Sequence, residues 1–364
     1  MASAYGDRDV REIRDGPALA EREALLASRG LSVPGSADLV LGLYEGERLA
    51  ATGSLVGNVI QGLAVSREGE GGGAAAVLVT ALLKEAAARG LGRVAVFTKL
   101  REAAVFEDLG FRRLATAERP ATGLGAALLE WGSPGIGDWK SDLSRGVEGR
   151  PRPSGVVVVN CNPFTKGHQA LLEWAASESP WVHVLVVEED RSLFPFPVRL
   201  DLVRKGTAHI RNLDVHPGGP YVISSATFPT YFTRPRPGSP DDAVAELHAA
   251  LDLEVFRAHV APVLGASERF VGTEPYCPTT STYNRLMKEI LPVHRRDSAP
   301  VAVREMPRVE QDGQAVSASR VRDLIRTGRL EEVRSLVPGN TWDWLRSPEA
   351  EPVLKRIRAS DTRH

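Results

Sequence analysis

The chain of 364 residues has only two cysteines. They cannot build a disulfide framework, and they offer too few thiolates for a cysteine-rich zinc site. No run of about 20 apolar residues occurs, which excludes a membrane-spanning helix. Neither sign of charge prevails: 45 Lys and Arg stand against 46 Asp and Glu, for a net charge of −1. No global field therefore draws the chain to nucleic acid or to an anionic membrane. The opening residues, MASAYGDRDVREIRDG, contain no apolar core of a secretory signal. Internal repeats are lacking too. What remains, with 43% hydrophobic and 25% charged residues, is a globular enzyme or binding protein, expected in the cytoplasm.

Such a length suits two to three domains of about 100–200 residues. The clearest shift of composition runs from Trp131 to Gly155, WGSPGIGDWKSDLSRGVEGRPRPSG. Glycine and proline break both periodicities there, so a linker is expected over 134–154. It separates a first domain, 1–133, from a second, 155–345. A tail follows over 346–364, with Arg356 to His364 frayed.

In the first domain, Leu39–Tyr44 and Leu49–Leu55 alternate as a strand pair, and Gly62–Val65 is a short apolar run. The glycine-rich Glu68–Gly73 leads into a helical stretch, Ala74–Arg89. Val94–Phe97 predicts a strand and Ala103–Leu109 a helix ended by Gly110. In the second domain Val156–Val159 is β-branched without polar alternation, as in a parallel strand buried on both faces. Val182–Val187, Tyr221–Ile223, Phe270–Gly272 and Val301–Val303 are further strand candidates. His168–Ala176, Val198–Ile210 and Ser319–Arg326 read as helices. The alternation implies βαβ units and a doubly wound parallel sheet.

Two segments carry chemistry. The first βα turn of the second domain reads NCNPFTKGHQALL. Ligands of open α/β sheets bind beyond the carboxyl ends of the strands. Gly167 would admit a phosphate close to the backbone, and His168 begins a helix whose free N–H groups favour anions. Neither a dinucleotide fingerprint nor a Walker loop is present. Near the end of the sheet region, Val316-Ser317-Ala318-Ser319-Arg320-Val321-Arg322 offers an N-cap serine, further hydroxyls and an arginine, a second anion cradle. Lys166 suits a phosphate contact or plain solvent exposure. Asn162 suits ribose recognition or loop closure. Cys161 and Cys277 read as packing residues, and Trp342 and Trp344 as anchors of the C-terminal region.

Thr165-Lys166-Gly167-His168 and Val316–Arg322 together resemble the two signature motifs of the nucleotidylyltransferase superfamily. The longer segments VNCNPFTKGHQALLEWAA, VVEEDRSLFPFPVRLDLVRKGT, VISSATFPTYF, VGTEPYCPTTSTYN and VSASRVRDLI are similar to the citrate lyase ligase family over Gly155 to Leu330. In the first domain, Glu68–Gly73 stands where acetyltransferases of the GNAT class carry their acyl-CoA loop, and VAVFTKLREAAVFEDLGF resembles the region after it. The implied fold is α/β: a GNAT-like α+β domain, then a doubly wound, Rossmann-like nucleotidylyltransferase domain.

The resemblance implies a ligase that takes ATP with Mg²⁺ and acetate to acetyl-adenylate and pyrophosphate. The acetyl group then passes to the thiol of a phosphoribosyl-dephospho-CoA group on the acyl carrier subunit of citrate lyase, or of a malonate decarboxylase. His168, Thr165 and Arg322 are the implied catalytic residues. Asn162, Lys166, Gly167, Arg199, Ser317 and Ser319 are the implied nucleotide-binding ones, and no metal ligand is singled out. Acetate is already an anion, so positioning and charge stabilisation suffice without a general base. Glu68 departs from the Gln or Arg of the GNAT loop and opposes a pyrophosphate there. The competing readings are an adenylyltransferase acting on phosphopantetheine or nicotinamide mononucleotide, a nucleotide-sensing module, and an N-acetyltransferase working through the first domain.

Overall fold

The computed structural model describes residues 8–120, 122–229, 240–275, 277–311 and 313–360. Thr230, Tyr231 and Phe232 of VISSATFPTYF, Tyr276 of VGTEPYCPTTSTYN and the last four residues lie outside the described residues. The chain divides into two compact units: 1–117 with 125–138, and 118–124 with 139–364.

The first unit is α+β. Strands β1 (Arg8–Glu12), β2 (Leu39–Glu45), β3 (Arg48–Val56), β4 (Val59–Val65), β5 (Arg93–Lys99), β6 (Arg112–Arg119) and β7 (Leu124–Gly132) form one sheet in the order β1-β2-β3-β4-β5-β7-β6. The β2–β3 hairpin turns at Gly46, whose φ of 63° is left-handed and costs glycine little. Helices α1 (Gly16–Ser28), α2 (Ala74–Ala88) and α3 (Ala103–Asp108) accompany it. Leu78, Val79, Leu82 and Ala86 of α2 lie on one stripe and enter the core with Leu41, Leu43, Val94 and Leu129. β4 and β5 are parallel and pair only at Val59–Ala95 and Ile60–Val96. The glycine-rich Glu68–Gly73 is a run of turns ahead of α2.

Helix α4 (Ile136–Gly146) occupies the stretch expected to be a linker. Ile136, Leu143 and Val147 are buried at helical spacing. The glycines and prolines that suggested a linker cluster mostly at its two ends, where they start and stop the helix.

The second unit is built on a parallel sheet of β8 (Ser154–Val159), β9 (Val182–Val186), β10 (Leu213–Pro217), β11 (Ala266–Gly272) and β12 (Ala302–Met306), ordered β10-β9-β8-β11-β12. The order reverses beside β8, so the carboxyl ends of β8 and β11 flank the topological switch point. The principal helices are α5 (Lys166–Glu178), α6 (Phe196–Gly206), α7 (Pro240–Val255), α8 (Pro278–Ile290), α9 (Ala318–Arg326), α10 (Gly339–Leu345) and α11 (Glu351–Ala359). Val157, Val159, Val182, Val184 and Val186 pack against Leu172 and Ala175 of α5 and Leu202 and Val203 of α6.

Two sequence expectations fail here. Tyr221–Ile223 is not a strand; Gly219–Tyr221 is a 3₁₀ turn, and the third strand is β10. As an edge strand β10 alternates, with Leu213 and Val215 against the core. It therefore lacks the unbroken apolar run of a central strand. The segment expected to be a tail contains α11, whose Val353, Leu354 and Ile357 share a core cluster with Val321 and Ile325 of α9 and with Trp342.

Candidate active site

Helix α5 starts at Thr165, which is fully buried and has the extended backbone of an N-cap. Its hydroxyl accepts from the His168 N–H at 3.4 Å, and the His168 ring closes the box from the other side. The Thr165 N–H donates to His168 Nδ1 at 3.1 Å, and the Thr165 hydroxyl lies 2.9 Å from the same nitrogen. With Nδ1 accepting, the proton of the neutral ring sits on Nε2. Burial, then the positive charges of Arg308 and Arg322, push the His168 pKa down to about 4. At neutral pH His168 is thus an uncharged donor at a helix N-terminus.

Gly167 serves a purpose other than the expected one. A Cβ there would lie 2.7 Å from the carbonyl oxygen of Val316, so the glycine admits the second motif rather than a phosphate alone. Ser317 caps α9, accepting from the Arg320 N–H at 3.2 Å. Arg322, 3% exposed, donates to the Asn162 carbonyl and, at 3.2 Å, to the Ser319 hydroxyl. Asn162 turns its side-chain oxygen to the Phe194 N–H at 3.0 Å and so closes the loop.

The N-termini of α5 and α9 consequently border one cavity of about 940 Å³ at the switch point. Asn162, Thr165, Gly167 and His168 line it with Ser317, Ser319 and Arg322. Two expected residues are not among its lining. Lys166 is exposed, and its N–H donates to the Leu336 carbonyl at 3.0 Å. Arg199 is fully buried. Its guanidinium donates to the carbonyls of Asn160, Val187, Glu189 and Phe194 and to the Asn160 side chain, at 2.6–3.1 Å. Those oxygens belong to the loops after β8 and β9, so Arg199 holds the loops from below the cavity lining.

Sequence reasoning missed Arg308, which follows β12. It donates to the Thr273 carbonyl at 2.8 Å, pairs with Glu274 and lines the cavity. Its meaning comes from β11, more than thirty residues away, and no local pattern marks it. Arg269, Tyr283 and Asn284 were also missed as cavity residues, although the quoted segment contains the last two. The Cys161 thiol is pushed up by burial and is no nucleophile.

The cavity carboxylates Glu274 and Asp323 are each paired with an arginine, Arg308 and Arg326. That donor set suits Mg²⁺ carried in on phosphates better than a resident ion. Away from the cavity, His183, Asp214 and His216 bring three ligating atoms within 4.8 Å of one another. Asp214 there already accepts from Arg150 and from the Trp181 indole.

Residues 154–345 match the family model of the citrate lyase ligase C-terminal domain. The citrate (pro-3S)-lyase ligase of Klebsiella pneumoniae is 37% identical over 337 residues, covering 92% of this chain and 95% of that protein. The chain belongs to the citrate lyase ligase family. The family's Escherichia coli (strain K12) enzyme is 35% identical, with 90% of each chain covered. Among solved structures, the N-acyl amino acid synthase FeeM matches 38% of this chain and 95% of its own at 15% identity, TM-score 0.31. The ribosomal-protein-S18-alanine N-acetyltransferase of Escherichia coli matches 35% and 94%, at 16% identity and TM-score 0.30. Among the described residues of this ligase-family chain, no helix is long and apolar enough to cross a membrane.

Proposed function

We propose that this ligase uses ATP to activate acetate and acetylates the thiol of a phosphoribosyl-dephospho-CoA group on the acyl carrier subunit of citrate lyase, in the cytoplasm. The observation that carries this reading is the convergence of two capped helix N-termini, with His168 and Arg322, on one cavity at the switch point. A carboxylate oxygen of acetate attacks the α-phosphorus of ATP. The bond to the bridging oxygen breaks, and pyrophosphate leaves with the electron pair. His168 Nε2–H and the Gly167 N–H at the start of α5 hold the α- and β-phosphates. Ser319, Arg322 and the N-terminus of α9 hold the departing pyrophosphate, with Arg308 beside them. Mg²⁺ on the phosphates would neutralise charge as the bond breaks. In the second step the carrier thiol attacks the acetyl carbonyl, AMP leaves with the electron pair, and the thiol proton passes to water.

The neutral state of His168 supports this reading, because a donor to developing negative charge needs no proton exchange with substrate. Residues 155–345 are the proposed ligase domain and 1–133 the GNAT-like one. The experiment is incubation of the chain with ATP, Mg²⁺, acetate and thiol-form carrier, followed by mass measurement of the carrier. A carrier mass gain of one acetyl group, with one AMP and one pyrophosphate released per carrier acetylated, is expected. Parallel reactions with a malonate decarboxylase carrier decide the partner. Pyrophosphate release driven by phosphopantetheine or nicotinamide mononucleotide, and not by acetate, would sink the reading.

A further inference from the structure

Arg269 projects from β11 on the face covered by α7 and α8. It is 1% exposed and lines the cavity. Its guanidinium lies 4.3 Å from the ring centre of Phe256 and 5.5 Å from that of Tyr283. Nη2 donates to the Tyr283 hydroxyl at 3.2 Å, while Nε and Nη1 have no acceptor. Among the described residues no carboxylate is within ion-pair distance of it. Asp252 is linked to it through the Tyr283 hydroxyl and attracts it at longer range. It accepts from the Ile223 N–H at 2.8 Å, the Thr227 hydroxyl at 2.6 Å and the Tyr283 hydroxyl at 2.6 Å.

A buried guanidinium with one of its five N–H bonds satisfied is costly, because the desolvated charge has lost water and gained little. Asp252 offsets part of that charge at longer range, and Tyr283, held by Asp252, fixes the orientation of Nη2. Nε and Nη1 are both covered; once the wall over them shifts, whichever lies on the side of the second Nη2 N–H completes a two-point fork for a planar anion. The same part of the cavity wall is apolar, contributed by Val158, Ile223, Val271 and Met287. The phosphate donors, by contrast, gather at the starts of α5 and α9.

We propose that Arg269, oriented by Tyr283 and Asp252, receives the carboxylate of a small aliphatic acid, whose alkyl end rests on that apolar wall. This deepens the reading of the chain as an acid-activating ligase and rests on it. The subsite is separate from the phosphate cradle and sets which acids are accepted: the fork demands a carboxylate, and the wall favours a short alkyl chain.

The test uses the full chain. Binding of ¹³C-acetate is followed by NMR, and ATP binding by calorimetry without acid. Arg269→Gln is expected to weaken acetate binding about 10–100-fold, the range for lost hydrogen bonds to a charged group. ATP affinity should stay within about twofold, and Arg269→Lys should recover part of the acetate affinity. Unchanged acetate affinity in Arg269→Gln, or equal loss of acetate and ATP, would overturn the proposal. So would inorganic phosphate binding in place of acetate and vanishing with Arg269. Should Arg269→Gln not fold, the ¹⁵Nε resonance of Arg269 in the unaltered chain decides. It should shift on adding acetate but not ATP alone, and an unmoved resonance refutes the subsite. A chain that binds acetate through Arg269 yet releases no pyrophosphate would sink the ligase reading and leave this one standing.

Discussion

Arg322 and Asn162, 160 residues apart, are joined by a hydrogen bond from the guanidinium of one to the backbone carbonyl of the other. The bond ties the start of α9 to the loop after β8 and makes one cradle of two motifs. Arg326, one turn further on, points elsewhere, to Asp323 and to the Ser360 carbonyl. Arg322→Ala should therefore raise the KM for ATP and slow turnover, whereas Arg326→Ala should leave both within about twofold and lower stability only slightly. Steady-state kinetics of pyrophosphate release check this; equal effects would mean a diffuse basic face.

His168→Ala should slow acetate-dependent pyrophosphate release by about 10²–10³, the usual effect of losing one donor to transition-state charge. The unaltered enzyme should show no inflection near pH 6.5 from this residue, because its ring stays neutral down to about 4. A pH–rate profile with a step near 6.5 that disappears in His168→Asn would contradict the assignment.

Three histidines share this behaviour. Burial is the main cause that holds His168, His183 and His248 at about 4. Unfolded, each takes up its proton near 6.5, so below that pH the unfolded chain binds more protons than the folded one. Stability is then fully present above about 6.5 and lost as pH falls toward 4, by up to about 1.4 kcal/mol per pH unit for each histidine. Urea midpoints at pH 7 and pH 5 test the sign, with the lower midpoint expected at pH 5.

Arg199→Ala should cost about 3 kcal/mol or more in stability, since it strands several buried carbonyls. Arg199→Lys should rescue little, because one ammonium cannot serve oxygens from four residues. Chemical denaturation measures the loss; a fully stable Arg199→Ala protein with a raised KM for ATP would restore it as a nucleotide contact.

In the first unit, Glu68 is exposed and 3.3 Å from Arg48, and Glu70 pairs with Arg29. Arg48 partly offsets the charge that argued against a pyrophosphate at this loop. Acetyl-CoA should still bind the full chain no tighter than millimolar at this loop, and Glu68→Gln should strengthen binding severalfold. Micromolar binding with acetyl transfer to an amine would make the first unit an acetyltransferase in its own right.

Elements that are buried on both faces, or capped by hydroxyl residues, are the legible ones. Val156–Val159 and Thr165 announce β8 and α5 because their residue types have few other uses in that order. β10 is obscured because one of its faces is polar, and α4 because glycine and proline crowd its ends. In the site, His168, Ser319 and Arg322 are readable from motif order. Arg199 misleads because its partners are backbone oxygens, which leave no trace in residue identity. Arg308 and Arg269 escape notice because each depends on neighbours from other strands and helices.

The contact of Gly167 with the Val316 carbonyl also dates the birth of the site. At ribosomal speeds of about 5–20 residues per second, α9 emerges roughly 8–30 s after the first loop. Through that interval the nascent chain has one half of its cradle and nothing to close it. A product stalled or clipped before Ala318 retains Thr165 and His168 but lacks Arg322, so on the proposed reading it should release pyrophosphate from ATP far more slowly than the whole chain.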